Sequence, residues 1–188
     1  MIDYEKYRWF YTSSGKLVVG GKNAEQNDEL LRKIKQLKEN YVVMHTSHPG
    51  SPFSIIMEKV GNVTKSDIEE CAIFTGCFSR AWKENKRKTE VDIFDSSQLM
   101  KDKNMKTGTW KVSGKIKRVS VELKLVLARQ KGILRAVPEN SAKKYLIKVC
   151  PGKNDKKTMA NKFAVELDNV SYEELMMALP AGGVRICR

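Results

Sequence analysis

Two histidines occur in this 188-residue chain, His45 and His48, and both lie in the serine-bearing stretch MHTSHPGS. A histidine within reach of a serine is the pattern of a base and its nucleophile, and His45 could pair in this way with Ser47 or Ser51. The sequence offers no third residue to orient the imidazole, and His45 adjoins an apolar run, so a hydrogen-bonded structural histidine is the better reading. Gly20-Gly21 ahead of a helical pattern could leave room for a phosphate at a helix N-terminus. It lacks GxGxxG or Walker spacing, and a tight turn is preferred. The cysteines, Cys71, Cys77, Cys150 and Cys187, are scattered, with no CxxC pair. That spacing argues against a structural zinc site and lacks the density of a disulfide scaffold. No metal or cofactor is expected.

Charge is more informative. The net charge is +13, from 35 Lys and Arg against 22 Asp and Glu. Residues 1–79 balance, with ten of each sign, so the whole excess lies in residues 80–188. Segregated charge repels itself and usually answers an anionic partner. The densest part runs from Arg80 to Arg135, sixteen basic residues against six acidic ones, interleaved with Trp82 and Trp110. Within it, AWKENKRKTE has the look of a helix end, where Lys and Arg complement the dipole. Lys86, Arg87 and Lys88 continue past that end, which the dipole does not require. Cations that neutralise phosphates, with aromatic rings that stack on unpaired bases, suit nucleic acid. The candidate contacts are Arg80, Lys83, Lys86, Arg87 and Lys88, then Lys103, Lys106, Lys111, Lys115, Lys117 and Arg118. Trp82 has a core phase, and Trp110, among glycines and lysines, is the stacking candidate.

The elements that must position these residues follow from periodicity. RWFYTS and KLVVGG form a hairpin around Ser13-Ser14-Gly15. Asn23 caps a helix of about fifteen residues, with Gln26 at capping-box spacing. YVVMH and FSIIM are strands flanking a Pro/Gly/Ser loop. Thr64 and Asp67 open a second helix whose spacing runs to Trp82. EVDIF is a strand, and SSQLMKDKNMKTGTWKVSGK an irregular hairpin or loop. IKRVSVELKLVLA alternates strictly and reads as one half-buried strand. GILRAV and YLIKVC are strands, DKKTMANKFAVEL and SYEELMMAL helices, and GGVRIC a short edge strand. Without regular βαβ alternation the class is α+β: a mixed, largely antiparallel sheet with two main helices and a smaller C-terminal α/β extension.

Four stretches in register resemble the NFACT-R domain, the RNA-binding module of NFACT proteins that rescue stalled ribosomes. They are RWFYTSSGKLVVGGKNAEQNDELL, MHTSHPGSPFSII, CAIFTGCFSRAWKEN and KNMKTGTWKVSG, spanning roughly residues 7–127. The resemblance makes His45, Pro49, Gly50 and Ser51 a family-motif loop. Two departures stand out: Thr46 and Ser47 follow the loop histidine where many members have an acidic residue, and Lys115-Ile116-Lys117-Arg118 replaces Ser-Phe-Met-Ile. It implies a stand-alone protein, with residues 1–137 as core and 138–188 as a docked extension, that binds tRNA or rRNA and works in translation or ribosome quality control. The residues and the resemblance together read as a cytoplasmic RNA-binding module without catalysis of its own. An RNA-modifying enzyme using His45, or a DNA- or anionic-surface-binding protein, are the alternatives. No stretch reaches the roughly 18 apolar residues of a membrane span.

Overall fold

In a computed structural model that describes residues 2–187, a six-stranded sheet carries the first part of the chain. Strands β1 (Arg8–Tyr11) and β2 (Leu17–Gly20) form the expected hairpin. Helix α1 (Ala24–Gln36) follows, with Asn23 accepting a bond from the Gln26 amide at 2.8 Å. Strands β3 (Tyr41–Thr46) and β4 (Ser54–Lys59) flank the Pro/Gly/Ser loop. Helix α2 (Lys65–Cys77) opens on the Thr64–Asp67 capping box, and β5 (Lys88–Asp95) and β8 (Lys117–Glu122) complete the sheet in the order β1-β2-β4-β3-β5-β8. Between the last two, β6 (Leu99–Met100) and β7 (Lys111–Val112) make a short ladder, the irregular hairpin expected there.

Adjacent residues on the strands part to opposite faces, as a pleat requires. Val19, Val43 and Ile55 join Leu30, Leu31 and Ile34 of α1, while Val18, Val42 and Ile56 join Cys71 and Phe74 of α2. The second cluster continues into a four-stranded sheet, β10-β9-β11-β12. Its strands are β9 (Leu125–Gln130), β10 (Ile133–Val137), β11 (Ile147–Asn154) and β12 (Val184–Ile186), with α4 (Lys156–Glu166) and α5 (Tyr172–Ala178) between the last two. Phe163, Leu175 and Val184 of this part share one apolar cluster with Phe10 and Trp82. Every strand pairing among the described residues is antiparallel, and the class is α+β.

Three local expectations need correcting. The alternating run 116–128 is not one strand: it breaks at Leu123-Lys124, β8 pairing with β5 and β9 with β10 and β11. Its alternation hides the break because Val121, Leu123, Leu125 and Leu127 are all buried on one phase, yet Val126 and Ala128 of β9 are buried too. Strand β9 lies inside its sheet, covered on both faces. The helix through Trp82 also breaks, since Ser79 accepts from the Ala81 amide and caps a separate turn, α3 (Arg80–Lys83). Cys150 and Cys187, read as isolated, form a disulfide, because β12 returns antiparallel to β11 and brings their Cα atoms to 5.4 Å. Closing that loop is worth about 4 kcal/mol on the chain-entropy account. Cys71 and Cys77 are buried free thiols whose pKa values burial pushes up.

Candidate nucleic-acid interface

The loop between β3 and β4, the first turn of α1, α3 and residues 107–112 surround a cavity of about 620 Å³. Each wall is fixed by backbone contacts. The Arg80 amide donates to the Gly50 carbonyl at 2.7 Å, tying α3 to the loop. Gly50 has φ +107, and a Cβ there would lie 3.1 Å from Arg80 Cβ, so glycine is required on both counts. Asn27 crosses beneath: its Oδ1 accepts from the Phe53 amide at 3.1 Å. A Cβ at Gly21 would come within 2.2 Å of that oxygen, which explains the second glycine of the pair by close approach. Gly108, Thr109 and Trp110 are held by Asp28, whose Oδ1 accepts from Trp110 Nε1 at 2.8 Å, the Gly108 amide at 2.9 Å and Lys101 Nζ at 3.1 Å. Burial opposes ionisation of Asp28, but these donors outweigh it and hold its carboxyl below the usual range.

The cavity is strongly positive. Arg8, Lys22, Arg80 and Lys83 line it, and none of the four is in an ion pair among the described residues. Its one carboxylate, Asp92, accepts from Arg118 Nε at 2.7 Å and from the Ser47 hydroxyl at 3.0 Å. Burial lowers the Arg8 pKa; the guanidinium gives one bond to the Gly21 carbonyl at 2.9 Å and lies 5.1 Å from the centre of the Phe78 ring. Lys22 is depressed by burial, then by Arg8 and Arg135. Lys156 of α4 is pushed down to about 8 by burial and then by Arg8. Like charges crowd around Arg8, and neither it nor Lys22 nor Lys156 has an ion-pair partner among the described residues. The apolar part of the wall comprises Phe53, Phe94, Trp110, Val112 and Ile116.

His45 stacks on Phe53 at 4.5 Å between ring centres and bonds through Nδ1 to the Thr46 carbonyl at 2.7 Å. A carbonyl only accepts, so Nδ1 carries the proton; burial lowers the pKa, more than Thr46 and Asp92 raise it. The Ser47 hydroxyl goes to Asp92 and that of Ser51 to the Pro52 carbonyl, so neither is activated by His45. The base-and-nucleophile arrangement does not form.

The geometry gathers some of the sequence-expected residues and leaves others apart. Arg80, Lys83, Trp110, His45, Pro49, Gly50 and Ser51 all line the cavity. Lys86, Arg87, Lys88, Lys103, Lys106, Lys111, Lys115, Lys117 and Arg118 are exposed outside it. Among these, Lys86 pairs with Glu84, Lys88 with Glu122 across the ladder, and Arg118 with Asp92 and Glu90. Trp82 is fully buried and donates from Nε1 to the Gly183 carbonyl at 3.0 Å. Sequence reasoning missed Arg8, Lys22, Asp28 and Asn27 as site residues. All four fall in the first motif stretch, but in the charge-balanced part of the chain, where no excess of charge singles them out.

A profile of the NFACT protein RNA binding domain matches residues 6–114, which contain every wall of the cavity except Ile116 and Ala181. The chain belongs to this family. Similarity to the archaeal Rqc2 homolog aRqcH of Methanocaldococcus jannaschii, 24% identical, covers 98% of this chain and 29% of that protein. Similarity to the ribosome quality control complex subunit NEMF homolog of Drosophila melanogaster, 28% identical, covers 60% of this chain and 12% of that one. The chain therefore spans less than a third of these relatives. Among solved structures, the C-terminal part of the fibronectin/fibrinogen-binding protein FBPS from Streptococcus suis superposes with a TM-score of 0.52 over 64% of this chain and 46% of that one, at 20% identity. That likeness carries the fold. The NFACT-R match and the archaeal alignment bear out the family read from the four motifs, and the latter runs through the extension as well. No helix among the described residues is long and apolar enough to cross a membrane.

Proposed function

We propose that this protein binds structured RNA, tRNA or rRNA, through its basic surface and works in the cytoplasm, in ribosome quality control. One observation carries the surface: of the eleven expected phosphate contacts, all exposed, only Lys86, Lys88 and Arg118 have ion-pair partners among the described residues. The other eight are free to neutralise phosphates. Membership of an RNA-binding family and the names of the archaeal and fly relatives support the RNA and the ribosomal setting. That His45 activates neither neighbouring serine favours binding over the RNA-modifying alternative.

Full-length tRNA, an rRNA helix and duplex DNA of similar length, titrated by fluorescence anisotropy over a range of salt, test this reading. With roughly six phosphates neutralised, the log–log salt slope is about −4 where the contacted RNA is single-stranded and about −5 where it is helical. Changing Lys103, Lys106 and Lys115, three of the unpaired cations, together to Gln should weaken RNA binding about tenfold at low salt and flatten the slope by about two. The same change should move stability by only a few tenths of a kcal/mol, about what exposed sites contribute. A slope near zero, an unchanged triple variant, or equal affinity for DNA would overturn the proposal.

A further inference from the structure

We infer that the cavity receives one unpaired nucleotide of the bound RNA, its phosphate among Arg8, Lys22, Arg80 and Lys83 and its base against the wall formed by His45, Phe53 and Trp110. This rests on the RNA-binding reading and deepens it by separating an inner pocket from the outer basic surface.

The phosphate follows from a charge that lacks a partner. A desolvated guanidinium is normally paired with a carboxylate or another anion. Arg8 is not, and it uses one donor on a backbone carbonyl, leaving most of its planar fork of N–H groups for a bidentate anion. The three other cations converge on the same space, and the single carboxylate there is already satisfied by Arg118 and Ser47. The first turn of α1 also opens into the cavity, through Lys22, Asn23 and Ala24, adding the positive end of a thirteen-residue helix. An anion is the one group missing from this arrangement.

The base follows from the rest of the wall. A bare phosphate needs no aromatic surface and far less room, whereas a volume of about 620 Å³ is within the usual range for small organic ligands. Trp110 is pinned by its N–H to Asp28, so its ring is held in place ahead of binding. His45, protonated at Nδ1, leaves Nε2 without a partner among the described residues as an acceptor for an exocyclic amine or a 2′-hydroxyl. A paired base cannot enter a concave site, since its edges and faces are taken within the helix; an unpaired one can be splayed out and stacked. A loop, a bulge or a single-stranded end is the part of a structured RNA that fits.

The test uses the full chain and two hairpins that share a stem, one blunt and one with a short single-stranded extension, each titrated in competition with nucleoside monophosphates. The wild type should prefer the extended hairpin by about tenfold, the scale of one stacked base. A monophosphate should abolish the preference but leave blunt-hairpin binding intact. The variant K22Q, at an exposed cavity position that is not one of the eleven outer contacts, should lose the preference and keep the blunt-hairpin affinity within about twofold. R8Q should do the same, and a melting curve checks its fold; if it fails to fold, K22Q decides. Equal binding of the two hairpins by the wild type would overturn the pocket while leaving RNA binding standing. Loss of all RNA binding would instead overturn the reading on which it rests. A monophosphate bound as tightly as the extended hairpin would also overturn it, by making a free nucleotide the occupant.

Discussion

Replacing Asp28 by Asn should release the segment that carries Trp110. The two side chains have one shape, so the change removes charge and little else. In the native protein one carboxylate oxygen accepts from Trp110 Nε1, the Gly108 amide and Lys101 Nζ at 2.8–3.1 Å. Bonds to a charged acceptor are roughly twice as strong as neutral ones, a difference of about 1 kcal/mol each. Three of them give about 3 kcal/mol. Lys101 keeps the Lys106 and Thr109 carbonyls, both at 2.8 Å, which spares part of the cost. A loss of about 2–3 kcal/mol remains, and it falls on local opening of residues 101–110 because that segment is held to α1 chiefly here. Native-state hydrogen exchange reads it directly: the Gly108 amide should exchange roughly 30- to 150-fold faster in Asp28→Asn. Since the Asp28 pKa is depressed, acid should mimic the variant only below about pH 4, the ordinary carboxylate range. Exchange of Gly108 at the wild-type rate would refute the assignment of this carboxylate as the clasp.

Two further outcomes follow from buried polar contacts. Trp82→Phe shrinks a fully buried ring and removes one of two donors to the Gly183 carbonyl, the Gly152 amide remaining at 3.2 Å, so urea unfolding should show a loss of about 1–2 kcal/mol; a wild-type midpoint would mean that α3 and the C-terminal part are not coupled through this ring. Asp67 is buried, and although burial opposes its charge, the Ser14, Thr12 and Thr64 donors hold its pKa well below the ordinary value. A depressed folded pKa stabilises fully above the unfolded value of about 4 and is lost as pH falls through the folded one. Stability measured from neutral pH downwards should therefore drop below about pH 4, and Asp67→Asn should flatten that drop; an equally steep drop in the variant would assign it to other groups.

Most of the fold could be read from the chain because its signals were local. The Asn23 and Thr64 caps, the Ser13-Ser14-Gly15 turn and the short apolar runs of β2 through β4 need no distant partner to be recognised. The errors came where distance decided. Strands β8 and β9 share one phase of burial across a break, and only the partner strand distinguishes one long strand from two. The disulfide depends on β12 returning beside β11, across 37 residues of sequence. For the site, the motif loop, Arg80, Lys83 and Trp110 were legible and converge. Arg8 was not: in RWFY it reads as the polar residue of a half-buried strand, and only the approach of Gly21 and Phe78 reveals that its charge is enclosed.

That enclosure changes what the net charge means. The excess of thirteen positive charges resides after residue 79, yet the most desolvated cation of the cavity, Arg8, comes from the balanced part. The two sets obey different physics. Exposed cations such as Lys103, Lys106, Lys115 and Lys117 act through a screened field, which salt weakens within a Debye length of about 8–10 Å, so in the proposed complex they would steer RNA and set the salt slope. Arg8, with its neighbours in the cavity, acts at contact in a partly water-excluded space where screening is weaker and geometry counts for more. The outer set can hold any phosphate backbone of suitable spacing. The inner set would accept only a group that can leave a duplex and enter, so the proposed pocket assigns discrimination between RNAs to the cavity and capture to the surface around it.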